Sequence, residues 1–217
     1  GPSYGSYRGM DPSKGEPAEA CDTAVALGAT NIRVWARFGI DHTASEEERA
    51  EVTREVSGFA DEAASRGLTV GIECHGWTLT DTAESTRRLV ADVDAEHVYS
   101  YWQPNYWDPE VNRSPERQID ELDHMAADLS NLHVYWWHGM DRLALQEGAD
   151  TWVPALALAR RAGRWGGERF AFLEYVAGDD PGLLAREAAT LRGWIDEGSP
   201  GTRQIANAPA HQGAPRA

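Results

Sequence analysis

Short β-rich runs alternating with amphipathic helical stretches constrain this chain more than any other feature. The runs are Asn31–Ala36 (NIRVWA), Leu68–Gly76 (LTVGIECHG), His97–Trp102 (HVYSYW), Leu132–Trp137 (LHVYWW) and Phe170–Val176 (FAFLEYV). Each is too brief for a helix and reads as a strand. Helical patterns separate them. Pro17 suits a first helical position, ahead of Ala18–Leu27 and a stop at Gly28. Ser45 with Glu48 forms a capping box for a helix that turns Val52, Val56 and Phe59 inward and ends at Gly67. Asp81 with Glu84 predicts a second box, before Leu89 and Val90. Ser114-Pro115 starts a helix whose apolar stripe is Ile119, Leu122, Met125 and Leu129. Further helices are expected from about Asp150 to Arg161 and from Asp180-Pro181 to Ile195. If Tyr4–Tyr7 is also a strand, six strand–helix pairs result. That alternation implies βαβ units and a parallel sheet, either open and doubly wound or closed as a barrel.

The polar residues favour the barrel. Glu73 and His75 stand two apart, so they emerge on one face of their strand. A buried Glu at a strand end requires a cation, a donor or a raised pKa. An Arg partner and a stacked His would satisfy it with no function at all. Yet Glu73, His75, Gln103, His133 and Glu174 all lie at or near the C-terminal ends of four strands, the face on which barrels assemble their sites. Cys74 alternates to the other face and is expected to pack against a helix, inert.

Composition narrows the class. At 217 residues, 41% hydrophobic and 25% charged, the chain fits one globular domain. A net charge of −15 argues against nucleic acid or an anionic membrane as partner. Cys21 and Cys74 suggest no disulfide framework. No apolar run approaches a membrane span and no signal segment opens the chain, so a soluble, cytoplasmic protein is expected. Residues 198–217, rich in Gly, Pro and Ala, are expected to form a disordered tail behind a domain of residues 1–197.

The segments IECHGWTLTDTAES, YWQP, SNLHVYW and FLEY together resemble the xylose-isomerase-like TIM-barrel superfamily, the sugar phosphate isomerase/epimerase group. The resemblance runs from Tyr4 to about Ile195. It implies an α/β TIM-type barrel in which SYGSY matches the third strand and the first two βα units are absent. A complete barrel of this kind takes about 250 residues, which agrees with that shortfall. The unpaired edges would need a partner, for which a homo-oligomer is one solution.

The resemblance also implies a divalent-metal site (Mn, Mg, Co or Zn) held by Glu73, Gln103, His133 and Glu174. Gln103 stands where the family has Asp, so one charge is missing and weaker affinity is expected. Tyr106 stands where the family has His. The implied function is a metal-dependent sugar or sugar phosphate isomerase/epimerase. Glu73 and Glu174 would remove and return a proton beside a metal-polarised carbonyl, through an enediolate. His75, Tyr106, Trp102, Trp136, His138 and Arg142 are the expected substrate contacts, Arg142 toward a phosphate or carboxylate and the indoles toward a sugar ring. Trp107 and Trp137 crowd the same strand ends. Two alternatives follow from the departures. One is a sugar-binding or partner-regulating barrel without catalysis. The other is a hydrolase resembling the apurinic-site endonucleases, for which the additional metal ligands and a basic face are missing from this sequence.

Overall fold

A computed structural model describes residues 4–5 and 16–197 of the chain. The expected tail at 198–217 lies outside the described residues, as do two residues of the proposed first strand, Ser6 and Tyr7. In chain order the elements are β1 (Tyr4–Gly5), α1 (Pro17–Ala26), β2 (Asn31–Val34), α2 (Glu46–Ala64), β3 (Thr69–Glu73), α3 (Ala83–Val93) and β4 (Val98–Trp102). There follow α4 (Pro109–Asn112), α5 (Pro115–Met125), β5 (Leu129–Val134), β6 (Trp137–His138), β7 (Asp141–Arg142), α6 (Ala149–Ala159), β8 (Ala171–Leu173) and α7 (Leu184–Glu197).

Six strands form one sheet in the order β1-β2-β3-β4-β5-β8, every pair parallel. This is the sequential winding of a TIM-type barrel, with two strands fewer among the described residues than the eight of a closed one. Helices cover its outer face in two apolar patches. Cys21, Val52, Val56, Phe59 and Ala63 of α1 and α2 pack on Ile32, Val34, Val70 and Ile72. Leu122, Met125, Trp152 and Leu156 of α5 and α6 pack on Trp102, Leu132 and Val134.

The local chemistry of the helix ends is mostly as the sequence implies. Ser45 N donates to Glu48 Oε2 at 2.9 Å and Glu48 N donates to Ser45 Oγ at 3.3 Å, closing the capping box. Gly67 takes φ +72°, a conformation favourable to glycine, where the chain turns into β3. Two expectations fail. The cap of α3 is Thr82, whose hydroxyl accepts from Ser85 N at 3.1 Å. Asp81 is instead drawn to His42, accepting from its backbone N–H at 3.0 Å. Leu129 does not extend the stripe of α5, because that helix ends at Met125, a 3-10 turn over Ala126–Asp128 follows, and Leu129 opens β5. Its spacing matches a helical repeat by coincidence.

On the inner face, alternation sorts the strand residues into layers. The lower layer is a chain of polar bonds. Tyr101 Oη donates to Asn31 Oδ1 at 2.9 Å, Asn131 Nδ2 donates to Tyr101 Oη at 2.9 Å, and Phe170 N donates to Asn131 Oδ1 at 2.8 Å. Gly71 leaves room for the Tyr101 ring, since a Cβ there would stand 2.3 Å from it. One step up each strand are Arg33, Glu73, Gln103, His133 and Glu174.

Candidate active site

Arg33 on β2, Glu73 at the end of β3, His133 on β5 and Glu174 just past β8 converge above the polar floor. Each is two residues beyond an inward-facing position of its strand, so register delivers them to one level. Glu73 is 1% exposed. Its Oε1 lies 3.0 Å from His133 Nδ1, and its Oε2 lies 2.7 Å from Arg33 Nη1. Trp35 Nε1 donates to that same Oε2 at 2.7 Å. Glu174 Oε2 lies 3.6 Å from His133 Nδ1. One ligand-type atom from each of Glu73, His133 and Glu174 lies within 4.8 Å of the others.

The two carboxyl groups are driven in opposite directions. Burial works against ionised Glu73, but the charge and hydrogen bond of His133, with Arg33 behind them, outweigh it and hold the group at about 2. Burial raises Glu174, and the Glu73 charge adds to that, with His133 pulling the other way. Glu73 therefore stays an anion while its neighbour holds a proton more readily, an arrangement suited to acid–base work.

Gln103 reaches the same level, 2% exposed, with both ends of its amide engaged. Its Nε2 donates to Cys74 O at 2.9 Å and its Oε1 accepts from Tyr135 Oη at 3.1 Å. His75 stands beside the cluster without bonding Glu73. Its Nδ1 meets Gly76 O at 2.7 Å, and its ring lies 4.3 Å from that of Trp35 and 5.8 Å from that of Trp107. Burial lowers its pKa, so the ring is neutral and its other nitrogen can accept. Tyr106, half-buried, stacks toward Trp137 at 4.6 Å, and burial helped by Tyr175 and Glu174 pushes its phenol up to about 12. It remains a hydroxyl donor at any working pH.

Two of the expected substrate contacts point elsewhere. Trp102 is fully buried in the outer layer against Trp152, ring centroids 5.5 Å apart, because it alternates away from Tyr101 and Gln103. Trp136 lays its ring on Gly148, where an added Cβ would come within 2.5 Å of it. Trp137 takes the inner position instead, next to Tyr106, Tyr135 and Tyr175. His138 is exposed on β6. Arg142, on the paired strand β7, has its guanidinium 4.8 Å over Trp137 and 4.7 Å over Tyr175, and forms an ion pair with Asp179. Cys74 is buried and its thiol is pushed well up by burial, as befits a packed, unreactive residue. Arg33, Trp35 and Tyr135 were not evident beforehand, although a charged Arg33 in an apolar strand signals a buried partner.

No family model and no curated protein sequence matches the chain. Solved structures do. The probable 3-DHS dehydratase AsbF of Bacillus anthracis superposes with a TM-score of 0.69 at 19% identity, over 88% of this chain and 76% of that one. The fold is that of the xylose-isomerase-like TIM barrels. A xylose isomerase-like TIM barrel protein from Mycobacterium smegmatis, in complex with magnesium, gives 0.69 at 15% identity over 91% and 73%. An L-ribulose 3-epimerase gives 0.59 at 12% over 88% and 67%. Among the described residues no helix is long and apolar enough to cross a membrane.

Proposed function

We propose that the chain is a divalent-metal-dependent enzyme acting on a small sugar or sugar phosphate, an isomerase or epimerase that moves a proton beside a carbonyl. The observation that carries this is the convergence of Glu73, His133 and Glu174 from three strands, with donor atoms within 4.8 Å of one another. Two carboxylates and an imidazole are a donor set that Mn, Mg, Co or Zn accepts. With His133 neutral, as a metal-ligating imidazole is, and both acids ionised, Arg33 leaves the cluster one net negative charge to attract a cation. Gln103 Oε1 retains a lone pair beyond its Tyr135 bond and would add a neutral fourth ligand. A bound divalent ion would polarise the sugar carbonyl and lower the cost of removing the neighbouring proton.

The remaining work falls to this chain's own side chains. Glu73, held as an anion, takes the proton from carbon, and the partly exposed Glu174, which holds a proton more readily, returns one from the other side. Arg33, Trp35 and His133 hold Glu73 in place while it does so. His75 and the Tyr106 hydroxyl bind sugar hydroxyls, Trp137 lies against the ring, and Arg142 exchanges Asp179 for an anionic substrate group. The neighbouring folds named as epimerase and dehydratase fit this assignment, because both conversions can begin with a proton lost beside a carbonyl. We place the enzyme in the cytoplasm.

Calorimetric titration with Mn²⁺ tests the reading, paired with deuterium uptake from solvent into a panel of ketopentoses and ketohexoses. Glu174→Gln is expected to cost more affinity than the roughly 10–100-fold loss that follows removal of an outer-shell partner, and to abolish deuterium uptake. Absent Mn²⁺ binding, or binding indifferent to the substitution, sinks the metal enzyme. A second reading is favoured by the Arg33 guanidinium 2.7 Å from Glu73 Oε2. It already supplies a positive charge there, so a barrel that binds sugar without catalysis would retain its affinity in chelator.

A further inference from the structure

Two exposed aromatic rings stand at the rim of the site in an unusual backbone setting. The loops after β2 and β3 pair with each other. Phe38 and Thr78 form an antiparallel bridge, Gly39 N donates to Trp77 O at 2.8 Å, and Leu79 N donates to Ala36 O at 3.0 Å. Within this clasp Arg37 has φ +52° and Trp77 has φ +62°, left-handed conformations that bulky residues rarely adopt. Arg37 is tied down by Glu51, at 2.7 Å, and by Glu55, both on α2. The backbone is thus held in a disfavoured state, and what it presents to solvent is Phe38, 64% exposed, and Trp77, 51% exposed. Strain of this kind clusters at ligand sites.

Both rings connect directly to the reacting centre. Phe38 stacks on Trp35 at 5.7 Å and 23°, and Trp35 donates to Glu73 Oε2. Trp77 lies 6.2 Å from His75, which packs on the same Trp35, and 6.2 Å from Tyr106. An unbroken run of aromatic faces therefore leads from the Glu73 carboxylate out to the rim. Aromatic platforms of this kind hold flat or ring-shaped groups through their apolar faces. Arg37 of the clasp and its two partners on α2, Glu51 and Glu55, together leave one net negative charge. The excess of 35 acidic over 20 basic side chains disfavours an anionic occupant.

From this we infer that Phe38 and Trp77 form a second subsite, which stacks a neutral ring carried by the substrate beyond the sugar that sits at Glu73. The substrate class is then a glycoside with a ring-shaped aglycone whose sugar keeps a ketone away from the glycosidic carbon, so that the carbonyl chemistry at Glu73 remains open to it. This rests on the sugar-binding part of the proposed function but not on its metal or its catalysis.

Calorimetry with matched methyl and phenyl glycosides of glucose, galactose, mannose and xylose, in Mn²⁺ and in chelator, tests it. At least one phenyl glycoside is expected to bind about tenfold or more tightly than its methyl counterpart. Phe38→Ala with Trp77→Gly is expected to abolish that gain and leave methyl glycoside affinity unchanged. Glycine suits the left-handed backbone at 77, so folding is preserved; each single variant, with a circular dichroism spectrum as control, is expected to lose part of the gain. Equal affinity within every pair, no binding of any phenyl glycoside, or a gain that survives the double substitution overturns the subsite. The gain is expected to be the same in Mn²⁺ and in chelator, whereas methyl glycoside affinity that is also unchanged by chelator counts against the metal enzyme, so the two failures are told apart.

Discussion

Replacing Glu121 by Gln is expected to stabilise the protein in a pH-dependent way. Glu121 lies on α5 with Oε1 accepting from Asn105 Nδ2 at 3.1 Å, while Oε2 is buried without a hydrogen-bond partner. Burial raises its pKa from 4.5 to about 7; Asp108 and Asp81 add to the rise, and the Asn105 bond opposes it. Because the folded-state value is raised, the protein's stability is intact below the ordinary carboxyl range and is lost as pH climbs through about 7. The displacement corresponds to on the order of 3 kcal/mol of lost stability above neutrality. Gln keeps the carbonyl that Asn105 bonds and cannot ionise. Urea unfolding of the native protein and of Glu121→Gln, at pH 4.5 and pH 8, provides the assay. The variant's advantage should be small at the lower pH and approach ~3 kcal/mol at the higher, or roughly 6–12 °C in Tm. An equal difference at both pH values would refute the buried-acid account. Since Asn105 precedes Tyr106, a looser Asn105 above neutral pH would also loosen the wall of the candidate site.

Trp35→Phe keeps an aromatic ring beside His75 but removes the donor to Glu73, so a loss of about 1.5–3 kcal/mol is expected in chemical denaturation. Gly71→Ala places a Cβ 2.3 Å from the Tyr101 ring and 3.3 Å from Asn31 Oδ1. Overpacking of this sort costs about 1–3 kcal/mol, and a thermal melt unchanged by the substitution would show that the floor is not close-packed.

The parallel sheet was legible because each strand is short, apolar and followed by a helix with a recognisable start or stop. Glu73, His133 and Glu174 could be picked out because ionisable residues at the ends of buried strands need a reason to be there. Their partners were hidden because Arg33 and Trp35 belong to a different strand, and only its adjacency to β3 makes them neighbours. The tryptophans are more instructive. Trp102 and Gln103 are consecutive, so strand alternation already sends them to opposite faces, and the indole belongs with Trp152 in the outer layer. At Trp136 and Trp137, by contrast, β5 has ended and a two-stranded hairpin sets the directions. The choice between Asp81 and Thr82 as helix cap was equally undecidable, since it turned on His42, some forty residues away.

Glu73 ends β3 and Glu174 directly follows β8, with β4 and β5 between those strands. Laid flat, three inter-strand spacings would put them roughly 14 Å apart, yet their ligand atoms lie within 4.8 Å of His133 and of each other. Bending of the sheet and the inward reach of the two side chains together supply the difference. The distance between these two acids thus depends on curvature, and any relaxation of the arc would register as a widening of that gap.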